Sequence, residues 1–267
     1  MSGMQYLRSL VFNIAMYLWM AVVGLAFAPR AIASRVGARA GCNFYARTTV
    51  TMLEAICGLR SEVRGTPPTG GVLVAAKHQS FLDILILWGT MPRPFFIMKS
   101  ILKYAPILGA YAMRLGCIPV ERGKRAEAIK KLLADVRAGE RKDGQLLIYP
   151  QGTRVAPGAR KPYKVGTFAL YEQLGQPCVP VATNVGVFWP KRGLLRKRGT
   201  AVMEFLEPIP PGLDRPTFMA LLEKRIETAS NKLMEEAGFP VPPHPPLHGD
   251  PVAAAASQAA SEAVEKT

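Results

Sequence analysis

The chain has 267 residues, enough for one large domain with appendages, and an apolar content of 49% that can fill a hydrophobic core. Its formal net charge of +15 indicates an acidic partner, such as anionic lipid, a phosphorylated small molecule or nucleic acid. The four cysteines are scattered without a Cys-x-x-Cys spacing, and only three histidines are present. Neither a disulfide framework nor a metal site is therefore indicated.

An uncharged apolar run lies near the start of the chain, at residues 10–28. As a helix it would measure roughly 28 Å, close to the thickness of a bilayer's hydrocarbon core. Residues 34–59 predict a second helix that mixes arginines with apolar residues, as helices at a membrane interface do. Residues 1–60 are therefore interpreted as a membrane-associated helical hairpin. Basic residues on both sides of the first run favour a hairpin in one leaflet over a single span, and a buried hairpin is the alternative.

Short apolar runs alternate with helical patterns from residue 72 onwards. This alternation predicts an α/β domain over residues 61–238, whose central, mostly parallel or mixed sheet is flanked by helices. A linker is predicted over residues 60–71, and a Pro/Ala-rich disordered tail over residues 239–267. The predicted strands are 72–76, 95–98, 117–121, 145–149, 179–184 and 201–206, and the predicted helices are 81–89, 100–115, 124–138, 165–174 and 216–236.

The most informative stretch begins with the predicted strand 72–76. It leads directly to His78, and Asp83 lies in the first turn of the helix that follows. Ligands bind at the carboxyl edge of open α/β sheets, and a histidine with a nearby carboxylate is the arrangement of a general base and the group that orients it. The alternative is structural, because Ser80 and Asp83 also have the spacing of a helix capping box.

Other predicted strands end in cations. Residues 149–154, with the sequence Tyr-Pro-Gln-Gly-Thr-Arg, follow a buried strand, and such a glycine-bearing turn with Arg154 can bind phosphate. Lys99 and Arg122 come at or just after two other strands. If the strands are neighbours, these cations meet His78 along one edge of the sheet, although each alone is an ordinary surface cation.

Four sequence blocks, in this order, resemble the glycerolipid acyltransferases, in particular the bacterial 1-acylglycerol-3-phosphate acyltransferases (PlsC-like). The blocks are residues 78–83 with a His-x4-Asp spacing, residues 116–122, residues 149–154 and the apolar residues 179–181. Lys99 with Pro106 and Gly109 resembles the lysine-bearing segment before the second block. The resemblance covers roughly residues 60–184, and the two N-terminal apolar helices are also a feature of the bacterial members.

The resemblance implies a membrane-bound enzyme that moves a fatty acyl group from a thioester of acyl-carrier protein or CoA to the 2-hydroxyl of 1-acylglycerol-3-phosphate, giving phosphatidic acid. No cofactor or metal is implied. His78 is the implied general base and Asp83 fixes its tautomer, while the absence of a Gly-x-Ser-x-Gly elbow agrees with transfer without an acyl-enzyme. The implied substrate-binding residues, of which the cations hold the acceptor's phosphate, are Lys99, Arg122, Gln151, Gly152, Thr153 and Arg154.

One position departs from the family's pattern. The third block usually has Glu where this chain has Gln151, and a glutamine cannot pair ionically with Arg154. The head group of the acceptor is therefore open between a phosphate and the head group of lyso-ornithine lipid, which a related class of enzymes acylates. A non-catalytic, lipid-binding membrane protein is the third interpretation.

A dense basic cluster occupies residues 191–198. Near an anionic leaflet each cation adds about 1 kcal/mol of attraction, and an acidic acyl-carrier protein could use the same surface. A solvated loop is the alternative. Nucleic acid is not predicted as a partner, because no recognised binding motif is present and aromatic residues do not interleave with the cluster. The predicted location is the inner (cytoplasmic) membrane, with the catalytic domain on the cytoplasmic face.

Overall fold

The computed structural model describes residues 3–120 and 144–243, where a seven-stranded sheet is flanked by helices. The helices are α1 (Gly3–Ala26), α2 (Ala28–Ala33), α3 (Arg35–Cys57), α4 (Leu82–Thr90), α5 (Leu108–Arg114), α6 (Gly166–Leu174), α7 (Val185–Phe188) and α8 (Arg215–Glu236), with a 3-10 turn at Ser100–Tyr104. The strands are β1 (Leu59–Arg64), β2 (Val72–Ala76), β3 (Pro94–Lys99), β4 (Ile118–Val120), β5 (Gln145–Ile148), β6 (Cys178–Thr183) and β7 (Gly199–Phe205).

The strand order in the sheet is β1-β7-β6-β2-β5-β3-β4. All of these neighbours are parallel except β6 and β7, so the mixed α/β sheet predicted from the sequence is confirmed. The central strand β2 is buried on both faces, which explains its uninterrupted apolar sequence. In the parallel register Ala75 lies beside Ile148 of β5 and Pro180 of β6, so the three strands end at one edge.

The structure differs from the predicted linker at residues 60–71, because β1 occupies its first part. β1 pairs in parallel with β7 along its whole length and forms one edge of the sheet. Its sequence carries Arg60, Glu62 and Arg64, of which Arg60 is exposed. Polar side chains are normal on an edge strand, and they hid this strand from a search for apolar runs.

The predicted helix 100–115 is divided in two. A 3-10 turn covers Ser100–Tyr104 and α5 covers Leu108–Arg114, with Pro106 between them. Proline has no backbone N–H and clashes with the preceding helical turn, so the first piece cannot continue into the second. The predicted helix 124–138 and Arg122 lie outside the described residues.

The predicted tail begins inside the described part of the chain. Phe239 and Val241 are partly buried and pack against the hydrophobic core, and Phe239 lies next to Gly158. Residues 244–267 of the predicted tail lie outside the described residues.

Helices α1 and α3 pack against each other and against the α/β domain. Phe12 and Met16 of α1 are buried in the common core. The polar side chains on the same face are bonded to a loop of the domain: Gln5 Nε2 lies 2.6 Å from the Arg196 carbonyl oxygen, and Asn13 Oδ1 accepts from Arg196 Nη2 at 2.8 Å. In the described part, α1 is the one helix whose length and hydropathy suffice to cross a membrane, and 28% of its most apolar 18-residue stretch is buried.

Candidate active site

His78 and Asp83 lie in contact at the carboxyl end of the central strand. His78 Nδ1 is 3.0 Å from Asp83 Oδ1 and 3.1 Å from Oδ2. The Asp83 side chain is fully buried, whereas 13% of the His78 side chain is exposed. Because Asp83 can only accept, the proton of neutral His78 lies on Nδ1 and the lone pair lies on Nε2. Nε2 makes no hydrogen bond with any residue that the structure describes, so it is available to take a proton.

Asp83 is held by further donors around its carboxylate. The backbone amides of Gln79 and Ser80 donate to Oδ2 at 2.9 and 2.8 Å. The hydroxyl of Tyr149 donates to Oδ1 at 3.2 Å. The contact with the Ser80 amide is the one that a capping box would supply, so Asp83 also supports the start of α4. The carboxyl group is thus fixed in position by hydrogen bonds.

Tyr149 supports the His78 ring as well as Asp83. The two rings are stacked, with centroids 3.8 Å apart and planes inclined by 14°. Burial and the nearby Asp83 carboxylate raise the pKa of the Tyr149 phenol well above its ordinary value, so its hydroxyl remains a donor. The residue is adjacent because β5 pairs with β2 and ends one position before Tyr149. Sequence reasoning placed Tyr149 in a motif but gave it no role.

The turn after β5 shapes the second part of the site. The Gly152 amide donates to the Tyr149 carbonyl at 2.8 Å, which closes a β-turn with Pro150 at its second position. Gly152 has a φ of 67°, a backbone conformation that is unfavourable for residues other than glycine. An added Cβ there would also lie 3.0 Å from Nζ of Lys164, so a cation lies directly over the turn.

The chain beyond this turn returns to His78. The Val155 amide donates to the His78 carbonyl at 2.8 Å. Arg154 therefore directly precedes a residue that is bonded to the backbone of the histidine. Thr153 and Arg154 are both partly exposed. Lys191 also reaches this point, since its Nζ lies 3.2 Å from the Arg154 carbonyl oxygen. The turn therefore gathers positively charged residues close to the backbone of His78.

The remaining predicted binding residues are placed differently. Lys99 is exposed at the end of β3, on the same carboxyl edge as His78, because β3 runs parallel to β5. Arg122 lies outside the described residues. Gln151 is 2% exposed, and its Nε2 faces inward, 3.3 Å from the Lys161 carbonyl oxygen.

A buried ion pair lies directly behind the histidine. Lys77 Nζ is 2.5 and 2.6 Å from the two carboxylate oxygens of Glu227 on α8, and Tyr163 donates to one of them at 2.9 Å. Sequence reasoning missed this pair, because Glu227 lies 150 positions from Lys77 in an ordinary amphipathic helix. The one signal in the sequence is Lys77 itself, which lies between an apolar strand and His78. A lysine at such a place is rarely buried without a partner of opposite charge.

The basic cluster is only partly on the surface. Lys191, Arg192 and Lys197 are exposed, but Arg196 is 5% exposed and stacks on Trp189, with its guanidinium carbon 4.1 Å from the ring centre. Its Nη1 also donates to three backbone carbonyls of its own loop. The interpretation of the whole cluster as a surface is therefore wrong for Arg196, which instead joins this loop to α1 through Asn13.

Comparison with known proteins finds relatives for the part of the chain that holds this site. A family model described as Acyltransferase matches residues 60–184, the part of the chain that holds His78, Asp83 and the turn after β5. The 1-acyl-sn-glycerol-3-phosphate acyltransferase of Pseudomonas aeruginosa is 28% identical over 194 residues, which cover 72% of this chain and 76% of that protein. The 1-acyl-sn-glycerol-3-phosphate acyltransferase of Saccharomyces cerevisiae is 33% identical over 142 residues, or 51% of this chain and 46% of that protein.

A solved structure agrees with the fold. The 1-acyl-sn-glycerophosphate (LPA) acyltransferase PlsC from Thermotoga maritima superimposes with a TM-score of 0.71, covering 85% of this chain and 96% of that one. At 18% sequence identity this similarity concerns the fold alone. The relatives that match in sequence are named as enzymes, which agrees with the catalytic interpretation. The matched family model shows that residues 60–184 form an acyltransferase domain, and the chain is similar in sequence to the 1-acyl-sn-glycerol-3-phosphate acyltransferases.

Proposed function

We propose that this enzyme transfers a fatty acyl group from an acyl thioester to the 2-hydroxyl of 1-acylglycerol-3-phosphate, giving phosphatidic acid, with His78 as the general base. The observation that carries the proposal is the pairing of His78 Nδ1 with the buried Asp83 at 3.0 Å, which leaves Nε2 free to act. The names of the relatives supply the acceptor, and the cations around the turn after β5 agree with a phosphate.

The reaction follows from this geometry in two proton transfers. Nε2 of His78 takes the proton of the acceptor's hydroxyl as the oxygen attacks the thioester carbonyl carbon. Asp83 stabilises the imidazolium that forms, in the manner of a catalytic triad without its serine. The tetrahedral intermediate then expels the thiolate, which takes the proton back from His78, so an ester and a thiol are released. Ser80, the nearest hydroxyl in the sequence, is fully buried and accepts from the Leu82 amide, so it is not proposed as a nucleophile.

The acceptor's phosphate is assigned to the edge that carries Arg154 and Lys99. A guanidinium can hold two phosphate oxygens at once, and backbone amides near a glycine approach an anion closely. Gly152 and Thr153 shape that approach. A head group with a carboxylate would also suit Arg154, but Lys164 and Lys191 lie at the same turn, and this density of positive charge favours the doubly charged phosphate.

The membrane attachment is assigned to one leaflet of the cytoplasmic face of the inner membrane. Near its start α1 is bonded to Arg196, and near its end the Gly24 carbonyl accepts from the Tyr111 hydroxyl at 2.8 Å. A helix that crosses a bilayer leaves the aqueous domain on one side, whereas this helix touches the domain near both ends. Its outward face is apolar, with Leu7, Leu18 and Leu25 exposed, which suits insertion parallel to the surface.

The acyl donor is assigned to a thioester of acyl-carrier protein or CoA. Both are acidic, the first through its side chains and the second through its phosphates. The exposed cations of the loop at residues 191–198 offer either of them a complementary surface. No resident cofactor takes part in the proposed chemistry.

The purified full chain, supplied with an acyl-CoA and with equal amounts of lysophosphatidic acid and lyso-ornithine lipid, tests the proposal. We expect phosphatidic acid as the main product, with a preference of at least about tenfold, which corresponds to about 1.4 kcal/mol. Product analysis by mass spectrometry separates the two lipids. A preference for lyso-ornithine lipid contradicts the proposed acceptor, and no transfer to any lysolipid contradicts the proposed chemistry.

A further inference from the structure

Outside the first three helices, exposed apolar side chains are concentrated in one short segment. In the described residues from Leu59 onwards, eight large apolar side chains are exposed, and five of them lie within residues 101–113. Ile101 and Tyr104 are the most exposed of the five, at 67% and 72%. Apolar groups gathered in this way on a protein surface mark a contact with a partner or a membrane.

The segment is fixed in place by a turn of rare conformation. Ile107 has φ and ψ of 61° and −64°, and the Leu108 amide nitrogen lies 2.6 Å from the Pro106 carbonyl oxygen, which together make a γ-turn. A β-branched residue seldom adopts a positive φ. The Ile107 side chain fills the space over Gly24 of α1, where an added Cβ would lie 2.4 Å from Cγ2 of Ile107. The strained turn thus holds the segment beside α1.

The charge of the segment complements an anionic surface. Residues 99–114 contain no acidic residue and three cations, Lys99, Lys103 and Arg114. Lys103 Nζ lies 4.7 Å from the centre of the Tyr104 ring, an arrangement of aromatic body and cationic tip that suits the boundary between lipid and water. Arg114 Nε donates to the Ala31 carbonyl at 3.1 Å, so the segment is continuous with the N-terminal helices.

We propose that residues 101–113 form a second lipid-contacting element, which inserts into the head-group region of an anionic bilayer beside α1. The proposal rests on the membrane attachment of the proposed function. The segment directly follows Lys99, which ends β3 at the carboxyl edge of the sheet. Two points of insertion fix the tilt of the domain, and this one brings the edge that carries His78 towards the lipid that supplies the acceptor.

Combining Ile101→Glu with Tyr104→Glu tests this element, because both side chains are exposed and the fold tolerates a charge at exposed positions. We expect binding to vesicles of phosphatidylcholine and phosphatidylglycerol to weaken at least about tenfold, since the carboxylates resist insertion and are repelled by the anionic lipid. Acyl transfer in detergent micelles should stay within about twofold of the wild type, because neither residue belongs to the site. Val63→Glu, on the exposed edge strand β1, adds one carboxylate and is the matched control for Ile101→Glu alone. It should leave both quantities unchanged, whereas Ile101→Glu should already weaken vesicle binding.

An active double variant that binds vesicles as the wild type does overturns the proposal. Weakened binding by the Val63→Glu control overturns it too, because the effect would then be one of net charge alone. If the wild type acylates no lysolipid while the double variant still loses vesicle binding, the proposed function fails and the lipid-contacting element stands.

A second inference concerns the buried charges behind His78. Lys77 and Glu227 form an ion pair in which the two side chains are 2% and 3% exposed. Burial lowers the pKa of the Lys77 ammonium, and the Glu227 carboxylate opposes that shift. The pair joins three parts of the molecule, because Lys77 precedes His78, Glu227 lies on α8 and Tyr163 comes from the loop after the turn at Gly152.

Gln151 meets this pair through its amide. Its Nε2 is 3.3 Å from the Lys161 carbonyl oxygen and 3.5 Å from Glu227 Oε1. Both neighbours are acceptors, so only an NH2 group can face them. Its Oε1 has no hydrogen-bond partner among the residues that the structure describes. A glutamate here would direct one of its oxygens at a carbonyl and a carboxylate in a buried place.

We infer that Gln151 and Glu227 are positioning residues whose charges are set jointly: Glu227 supplies the carboxylate that is bonded to Lys77, and residue 151 is neutral for that reason. The network fixes the base of the loop that carries Arg154 relative to His78. Within the proposed function, Gln151 therefore reflects the charge balance of the interior and not the head group of the acceptor.

Moving the carboxylate from one position to the other tests this inference. Gln151→Glu adds a second buried carboxylate, and Glu227→Gln leaves Lys77 without a counter-charge, so we expect each to lower the melting temperature and to lower kcat/KM at least about tenfold. The double variant restores one ammonium and one carboxylate, and it should recover most of both losses. A purely additive double variant, or a Gln151→Glu variant with unchanged kinetics and melting temperature, overturns the inference. The melting temperatures test it even if the wild type prefers another acceptor, so its failure is separable from that of the proposed function.

Discussion

His78→Ala is expected to lower the rate of acyl transfer by about 10²–10⁴-fold, the usual contribution of a general base. The partly exposed imidazole pairs through Nδ1 with a buried carboxylate, which leaves Nε2 to take the proton. The change removes the base, while the binding of both substrates through other residues remains. The measurement is kcat with saturating acyl-CoA and lysophosphatidic acid, and the loss should fall on kcat more than on KM.

The control for this variant is a measurement that it still folds. Alanine at position 78 also removes the ring that stacks on Tyr149, so the melting temperature must be compared with that of the wild type. His78→Gln, which keeps a polar side chain of similar length, should be as inactive as the alanine variant because an amide does not take a proton at neutral pH. Acyl transfer at more than about a tenth of the wild-type rate by a folded variant rules out His78 as the base.

Arg154→Ala is expected to raise the KM for lysophosphatidic acid tenfold or more. A hydrogen bond to a charged group contributes about 1.5–3 kcal/mol, and Arg154 directly precedes Val155, whose amide donates to the His78 carbonyl. The KM for the acyl donor should not change, because the donor's thioester needs no cation at this turn. Initial rates measured over a range of each substrate separate the two constants.

Arg60→Ala is the matched control for this prediction. Arg60 is an exposed arginine on the edge strand β1, paired with Glu54 at 3.2 Å, and surface pairs of this kind contribute little. Its removal should leave both KM values unchanged. If Arg154→Ala has the kinetics of the control, Arg154 is not part of the acceptor site.

The strands of the central sheet could be predicted well because burial on both faces leaves a clear signal. β2 begins and ends where its apolar run does, and β3, β5, β6 and β7 lie within two residues of the predicted bounds. β1 could not be found in this way, since an edge strand keeps polar residues such as Arg60 and Glu62. The turn at Ile107 was hidden for another reason: its conformation depends on the side chain docking over Gly24, far away in the sequence.

In the candidate site, too, contacts between residues close in sequence could be predicted, whereas contacts between distant residues could not. His78 and Asp83 are five positions apart, so local geometry alone brings them within hydrogen-bond distance. The contact of Tyr149 with Asp83 spans 66 positions and depends on the pairing of β2 with β5. The predicted roles of Lys99 and Arg154 rest on the common edge of parallel strands, which the sheet order supplies.

The sequence by itself determined the pairing of a histidine with a carboxylate, the buried strands and the apolar start of the chain. Each of these features depends on residues that are close together in the sequence. Only the tertiary structure decided that Gln151 faces Glu227 and that Arg196 is buried against Trp189 and Asn13. Hydropathy shows that a side chain can be buried, but the partner that balances its charge comes from a distant element. Which elements meet is set by packing over the whole domain, and no local pattern contains that information.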